Sequence, residues 1–279
     1  MSLTIRPLHP SLGAEVTNIT LASTNDREMR DLMVAWRRFR LLVFRDQYLS
    51  PDDQLIFSRT LGTLDLAPAF DVERSALTGY PEIAVVSNIK QDGVAIGGLG
   101  DGELAWHSDM TYVPAPPIGC ILQARELPVR GGDTYFLDLR KAWDGLPAHL
   151  KEAASGMRVF HDRAYTSAGT PRRETAAADG VWHPVRFEDP LSKKPILFLG
   201  RRRGSRAVLA NGEDGEALLA ALWNEADKPI HVYRHAWQNG DVVLWNNLAT
   251  MHRRDAFDSS DRRLLYRSQI RSLDRRWQN

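Results

Sequence analysis

Cysteine is almost missing from this chain: Cys120, inside "IGCILQA", is the one thiol in 279 residues. A single cysteine excludes an intrachain disulfide and a thiolate-built zinc or iron–sulfur centre. Its apolar surroundings point to a small buried hydrophobe, and the lack of a disulfide framework fits a reducing, cytoplasmic setting. Long hydrophobic runs are missing too. Nothing approaches the roughly 18 apolar residues of a membrane-spanning helix. The opening "MSLTIRPLHP" lacks the basic-then-apolar pattern of a secretory leader. Charge of one sign is also lacking: 36 Lys and Arg stand against 35 Asp and Glu, a formal net charge of +1. That balance argues against a nucleic-acid partner, which would call for a broad basic surface. The one basic run, "GRRRGSR" (200–206), reads as a solvated turn. No linker divides the chain and no repeat appears, so a single domain over 1–279 is expected.

What is present is apolar and aromatic. Hydrophobic residues make up 43%, with eight Trp, nine Phe and seven Tyr, enough for a sizeable core. "NDREMRDLMVAWRRF" (25–39) carries Met29, Leu32, Met33 and Trp36 at helical spacing. "LSPDDQLIFSRTLG" (49–62) opens with Ser50 as cap, Pro51 in the first turn and Asp52 and Asp53 at the positive end, and Gly62 suits its stop. A third helix lies within "GEDGEALLAALWNEADK" (212–228). Most of the remainder reads as short strands: "LLVF", "EIAVVSNI", "IGCILQARE", "DTYFLD", "MRVFHD", "PILFLG" and "RRLLYRSQIR". "IHVYRHAW" and "VVLWNN", joined by "QNGD", read as a hairpin. The glycine-rich "KQDGVAIGGLGDGEL" (90–104) reads as a loop over an opening, and "AYTSAGTPRRETAAADG" (164–180) as an insertion loop. Strands not separated by regular helices disfavour a doubly wound parallel sheet. They favour a mainly β fold, two antiparallel sheets closed into a jelly roll with flanking helices.

Chemistry gathers around "AWHSDMTY" (105–112). On one short strand, His107 and Asp109 would face the same way. A third donor would complete a two-histidine, one-carboxylate face with open positions, the arrangement of non-haem Fe(II) sites that activate oxygen. His252, following "DVVLWNN" and "LATM", is the best partner, with His231 and His235 as competitors. Arg263 and Arg267 lie four apart in the last strand and share a face. If that face is inward, each guanidinium needs an anion to offset its desolvation, and a carboxylate is the natural one.

Seven stretches, in order from residue 13 to 270, carry a resemblance: "GAEVTNITL", "AWRRFRLLVFRDQYLSPDDQ", "FSRTLG", "WHSDMTY", "ARELPVRGGDTYFLDLRKAWDGL", "NGDVVLWNNLATMHRRDAF" and "RRLLYRSQI". They resemble the taurine and phenoxyacetate dioxygenases, Fe(II)- and 2-oxoglutarate-dependent enzymes on a double-stranded β-helix core. The resemblance implies that His107, Asp109 and His252 hold Fe(II). It implies that Thr134 and Arg263 bind 2-oxoglutarate, and that Arg267 meets the anionic group of the primary substrate. O₂ is the second co-substrate, and succinate and CO₂ leave as the substrate is hydroxylated. Related halogenases carry Ala or Gly where Asp109 stands, so its presence implies hydroxylation. Relatives form homodimers or homotetramers.

Departures from the family pattern bear on the substrate. A His and a Tyr of the taurine enzyme, in the segment equivalent to "LGTLDLAPAF", become Ala67 and Phe70 here, and an Asn four residues before the first histidine becomes Glu103. Ala67 and Phe70 suggest a more apolar pocket than a sulfonate needs. Glu103, if inward, would pair with an amine, which points to an amino-acid-like anion. The alternatives are the same cofactor chemistry ending in desaturation or cyclisation, or a non-catalytic metal-binding relative.

Overall fold

The computed structural model describes residues 3–68, 75–172 and 179–278. Nine strands and three helices position the site. In chain order these are α1 (Asp26–Phe39), β1 (Leu41–Phe44), α2 (Pro51–Leu61), β2 (Tyr80–Ser87), β3 (Leu104–His107), β4 (Gly119–Glu126), β5 (Thr134–Asp138), α3 (Glu216–Ala226), β6 (Val232–His235), β7 (Val242–Asn246), β8 (Thr250–Arg254) and β9 (Leu264–Leu273). Both early helices start as expected from their caps. Asn25 accepts from Arg27 N and Glu28 N, and Ser50 accepts from Asp53 N, each closing a capping box. Gly62 ends α2 because nothing larger fits there: a Cβ would sit 1.9 Å from the Ser272 carbonyl oxygen.

The large sheet runs Thr4–Pro7, Ala14–Thr17, β1, β7, β4, β9, β2 and Ala76–Leu77. A smaller sheet runs β3, β8, β5 and β6, antiparallel throughout. Strand alternation sorts the core into layers. Leu42 and Phe44 of β1, with Val242, Leu244, Ile121 and Ile270, pack outward on Met29, Leu32, Met33 and Trp36 of α1 and Phe57 and Leu61 of α2. Leu41 and Val43 turn the other way, with Cys120, Val243 and Trp245, and meet Phe136 of the small sheet. The Phe136 and Trp245 rings lie 5.6 Å apart at 60°. Beyond the small sheet, Leu137 and Met251 pack with Leu219, Leu222 and Trp223 of α3. The result is the expected mainly β jelly roll with helices on its outer faces.

One sequence expectation fails here. β6 and β7 are not a hairpin: β6 pairs β5 in the small sheet, while β7 pairs β4 and β1 in the large one. The "QNGD" turn therefore crosses between sheets. Asp241 anchors it, its carboxylate accepting from Gln238 N at 2.8 Å and contacting His235 Nε2 at 3.1 Å. No helix among the described residues is long and apolar enough to cross a membrane.

Candidate active site

β3 and β8 run antiparallel, and their register sets His107 directly opposite His252. The two rings lie 4.2 Å apart at 48°. His107 Nδ1 donates to the Ala105 carbonyl at 2.7 Å. That bond fixes the tautomer and leaves Nε2 with its lone pair, 3.8 Å from Asp109 Oδ1. Ligand atoms of His107, Asp109 and His252 all lie within 4.8 Å of one another. His231 and His235 are not part of the group: His231 contacts the Ala226 carbonyl and His235 the Asp241 carboxylate.

Asp109 reaches the site differently from the sequence expectation. β3 ends at His107, so the two residues do not share a strand. A turn carries the carboxylate, with Met110 following at φ 52°. Asn247 holds that turn: its Oδ1 accepts from Asp109 N at 2.7 Å, and its Nδ2 donates to the carbonyls of Asp109 and Pro117, both at 2.9 Å. Arg267 Nη1 donates to both Asp109 oxygens, at 3.0 and 2.9 Å. Burial opposes the Asp109 charge. Arg267, then the two imidazoles and the Cys120 thiol, outweigh it and hold the carboxyl well below its usual range. Burial lowers both histidines, His107 well below its ordinary value and His252 to about 4. Two neutral imidazoles and one anionic carboxylate, all at most 9% exposed, form a donor set that fits a ferrous ion. The His252 Nδ1 is buried without a hydrogen-bond partner, and the ring makes no side-chain hydrogen bond among the described residues that would compete with an ion.

Neutral buried histidines make the metal-free fold acid-sensitive. An unfolded histidine titrates near 6.5, whereas folded His252 does so at about 4. Between these values the unfolded chain takes up a proton that the folded one refuses, so stability falls as pH falls. The limit for this ring is about 3 kcal/mol, at about 1.4 kcal/mol per pH unit. His107, His161, His183 and His235 are lowered by burial as well and add in the same direction. The depressed Asp109 changes stability only below about pH 4, the ordinary carboxylate range. The melting temperature of chelator-treated protein should therefore drop steadily from pH 7 to pH 5. A flat profile would count against neutral packing of these rings.

Thr134 opens β5 and is buried, its Oγ1 accepting from Trp237 Nε1 at 2.9 Å. Arg263 immediately precedes β9 and is 2% exposed. Its Nη2 donates to the Gly132 carbonyl at 3.3 Å, its Nε has no partner, and it makes no ion pair among the described residues. Burial pulls its pKa well below the ordinary arginine value, with Arg254 adding to the effect. Arg267 shares the inward face of β9 with Leu265. Glu103, in contrast, is exposed: the alternation that buries Leu104 turns it outward, so it is not placed to meet an amine inside. Ala67 is half-buried, its N–H donating to the Pro81 carbonyl at 2.8 Å, and its neighbour Pro68 lines the cavity. Phe70 lies outside the described residues.

A cavity of about 240 Å³ opens beside Asp109. Arg267, Leu99, Leu104 and Met110 form one part of its wall, and Tyr112, Ser167, Arg172 and Arg201 another. The sequence reading passed over the second group. Residues 166–172 are not a peripheral insertion, and "GRRRGSR" is not wholly a solvated turn: Arg202 and Arg203 are exposed, but Arg201 is drawn into the wall. The glycine-rich stretch is pinned, since Arg254 Nη2 donates to the carbonyls of Leu99 and Gly102 and Gly98–Leu99 pairs with β2. The turn position of Asn247, immediately after β7, was legible only as a polar tail to an apolar strand.

Comparison with known proteins accords with this geometry. A family model for "Taurine catabolism dioxygenase TauD, TfdA family" matches residues 4–269. The (S)-phenoxypropionate/alpha-ketoglutarate-dioxygenase of Sphingobium herbicidovorans is 30% identical, over 95% of this chain and 94% of its own. The alpha-ketoglutarate-dependent 2,4-dichlorophenoxyacetate dioxygenase of Cupriavidus pinatubonensis is 33% identical, over 96% of this chain and 97% of its own. A solved structure of AAD-2 in complex with Mn(II) and N-oxalylglycine superposes with a TM-score of 0.81 at 26% identity, covering 98% of each chain.

Proposed function

The chain belongs to the TauD/TfdA dioxygenase family, and from that premise we propose how its residues divide the work between co-substrate and substrate. It is a 2-oxoglutarate-dependent non-haem iron dioxygenase that hydroxylates a small organic anion. When bound, Fe(II) with 2-oxoglutarate and O₂ supplies the oxidising power for hydroxylation of a substrate C–H, and succinate and CO₂ are released. His107, Asp109 and His252 hold the ion, and the hydrogen bonds that His107 donates to Ala105 and Asp109 N donates to Asn247 keep two of the three donors in position.

Arg263 is the anchor for the far carboxylate of 2-oxoglutarate. The observation that carries this is a buried guanidinium with no anionic partner among the described residues, a state that is costly unless a ligand anion offsets it. Thr134 assists. Its oxygen already accepts from Trp237, so its own hydroxyl proton remains to be donated to a carboxylate.

Arg267 holds Asp109 with one nitrogen and lines the cavity. We assign it to the acidic group of the primary substrate, and Leu99, Leu104 and Met110 to the substrate's apolar body. Ala67, through its neighbour Pro68, extends that apolar side. With Glu103 facing solvent, nothing recommends an amine. A carboxylic acid with an apolar or aromatic body, of the phenoxyalkanoate kind named for the relatives, suits the cavity better than an amino acid. The whole forms one oxygenase domain over 1–279, acting in the cytoplasm without a nucleic-acid partner, as a homodimer or homotetramer.

With Fe(II), 2-oxoglutarate and phenoxyacetate, the protein should release succinate and a product containing one oxygen from O₂. Arg263→Leu should raise the KM for 2-oxoglutarate on the order of 100-fold, the scale of a lost charge pair of about 3 kcal/mol, without altering iron content. An unchanged KM would overturn the Arg263 assignment.

A further inference from the structure

We propose that Arg201 is a second anion anchor, and that the preferred substrate carries two anionic groups, one for Arg267 and one for Arg201. The inference rests on the reading above and narrows its substrate class.

Arg201 is delivered by a specific turn. Gly200 precedes it at φ +73°, and a Cβ there would lie 2.8 Å from the His161 ring, so the chain turns against that ring as only glycine can. The guanidinium then lies 5.9 Å from the centroid of the Tyr112 ring. Its Nη1 donates to the Tyr165 carbonyl and its Nη2 to Ser167 Oγ at 3.4 Å. Its Nε is buried with no acceptor. Both acceptors are neutral, and among the described residues no carboxylate pairs with it. The cation is held in shape by dipoles while its charge remains uncompensated, which suits a ligand anion better than a structural bridge.

Charge counting in the site gives the same answer. The carboxylate among the described residues lining the cavity is Asp109, and Arg267 is already on it. With 2-oxoglutarate bound, its two negative charges cancel the two positive charges of the ferrous ion. Arg263, Arg267 and Arg201 set against Asp109 then sum to about +2, and Arg172 lies on the same wall. A monoanion meets half of that and a dianion all of it. Thr166 and Thr170, whose hydroxyls bond each other at 2.7 Å, line the same cavity, and Ser167, which accepts from Arg201, keeps its own hydroxyl proton to donate to the second group.

The test compares phenoxyacetate with 2-, 3- and 4-carboxyphenoxyacetate. Calorimetric titration into chelator-treated protein should show at least one diacid binding 10-fold or more tighter than the monoacid, with the same order in KM for succinate formation by the iron-loaded enzyme. Arg201→Met should remove that preference, weakening the favoured diacid 10-fold or more and phenoxyacetate less than 3-fold. Arg201→Lys, which keeps the charge, should retain part of it. The KM for 2-oxoglutarate should not move in either variant. Equal binding of every diacid and the monoacid by the wild type overturns the proposal, as does an equal loss for both acid classes in Arg201→Met. Failure of the wild type to form succinate with any acid would instead sink the substrate reading on which the proposal rests.

Discussion

Replacing Asp109 with Ala should weaken iron retention sharply and lower succinate formation by a factor on the order of 1,000 or more. Two imidazoles alone leave the ion without the one anionic donor that the protein supplies. The same substitution has a second consequence. Arg267 is 5% exposed and directs one nitrogen at both Asp109 oxygens. Removing the carboxylate takes this two-oxygen contact from a buried guanidinium, which should cost roughly 3 kcal/mol of stability. The two effects are separable. Arg267→Met on top of Asp109→Ala removes the buried charge, so much of the lost melting temperature should return. Iron content and turnover should not, because no ligand has been restored. Iron assay and thermal unfolding of the wild type, both single variants and the double variant form a complete cycle. If the double variant recovers iron along with stability, Asp109 serves the fold and not the metal.

That dual role was only half legible in the sequence. The helices could be read because their signals are local: a cap, an acidic first turn, a periodic apolar face. His107 and His252 could be paired in advance from family resemblance, and the register of β3 and β8 places them opposite each other. Asp109 could be named but not placed. The spacing suggested strand alternation, whereas the carboxylate is set by a turn that Asn247 holds from 138 residues away. Long-range bonds of this kind leave no periodic trace. The hairpin reading of β6 and β7 failed for a related reason, since a turn sequence shows that the chain reverses but not which sheet receives it. Arg201 was hidden by composition. In a run of arginines, nothing local distinguishes the one that a glycine at positive φ turns inward from the two left in solvent. Glu103 is the converse: a suggestive side chain on the outward side of a strand boundary, next to the buried Leu104.

The other large effect concerns stability alone. Asp138→Ala should lower the melting temperature by on the order of 10 °C while leaving the kcat of the folded enzyme unchanged within about two-fold. Arg40 ends α1 in the left-handed region at φ 61°. Its guanidinium donates to the carbonyls of Ser11 and Arg38 and, at 2.7 Å, to Asp138 Oδ2. The two side chains are 1% and 0% exposed. The other oxygen, Oδ1, accepts from Arg140 N and Lys141 N at 3.1 Å each, capping the helix that follows β5. One carboxylate thus ties the end of α1 to the end of β5, across the two sheets. Truncating it leaves a buried cation unpaired, at about 3–5 kcal/mol, and removes a cap of about 1 kcal/mol. For a chain of this size each kcal/mol corresponds to roughly 2–4 °C. Asp138→Asn separates the contributions, because the amide oxygen can still cap while the charge is gone, so its loss should fall between those of the wild type and Ala. Arg40→Met combined with Asp138→Ala should recover part of the loss by removing the stranded cation. Turnover assayed well below the transition should persist, since Asp138 lies at the opposite end of β5 from Thr134. A melting temperature for Asp138→Ala within 2 °C of the wild type would show that this pair does not hold the sheets together.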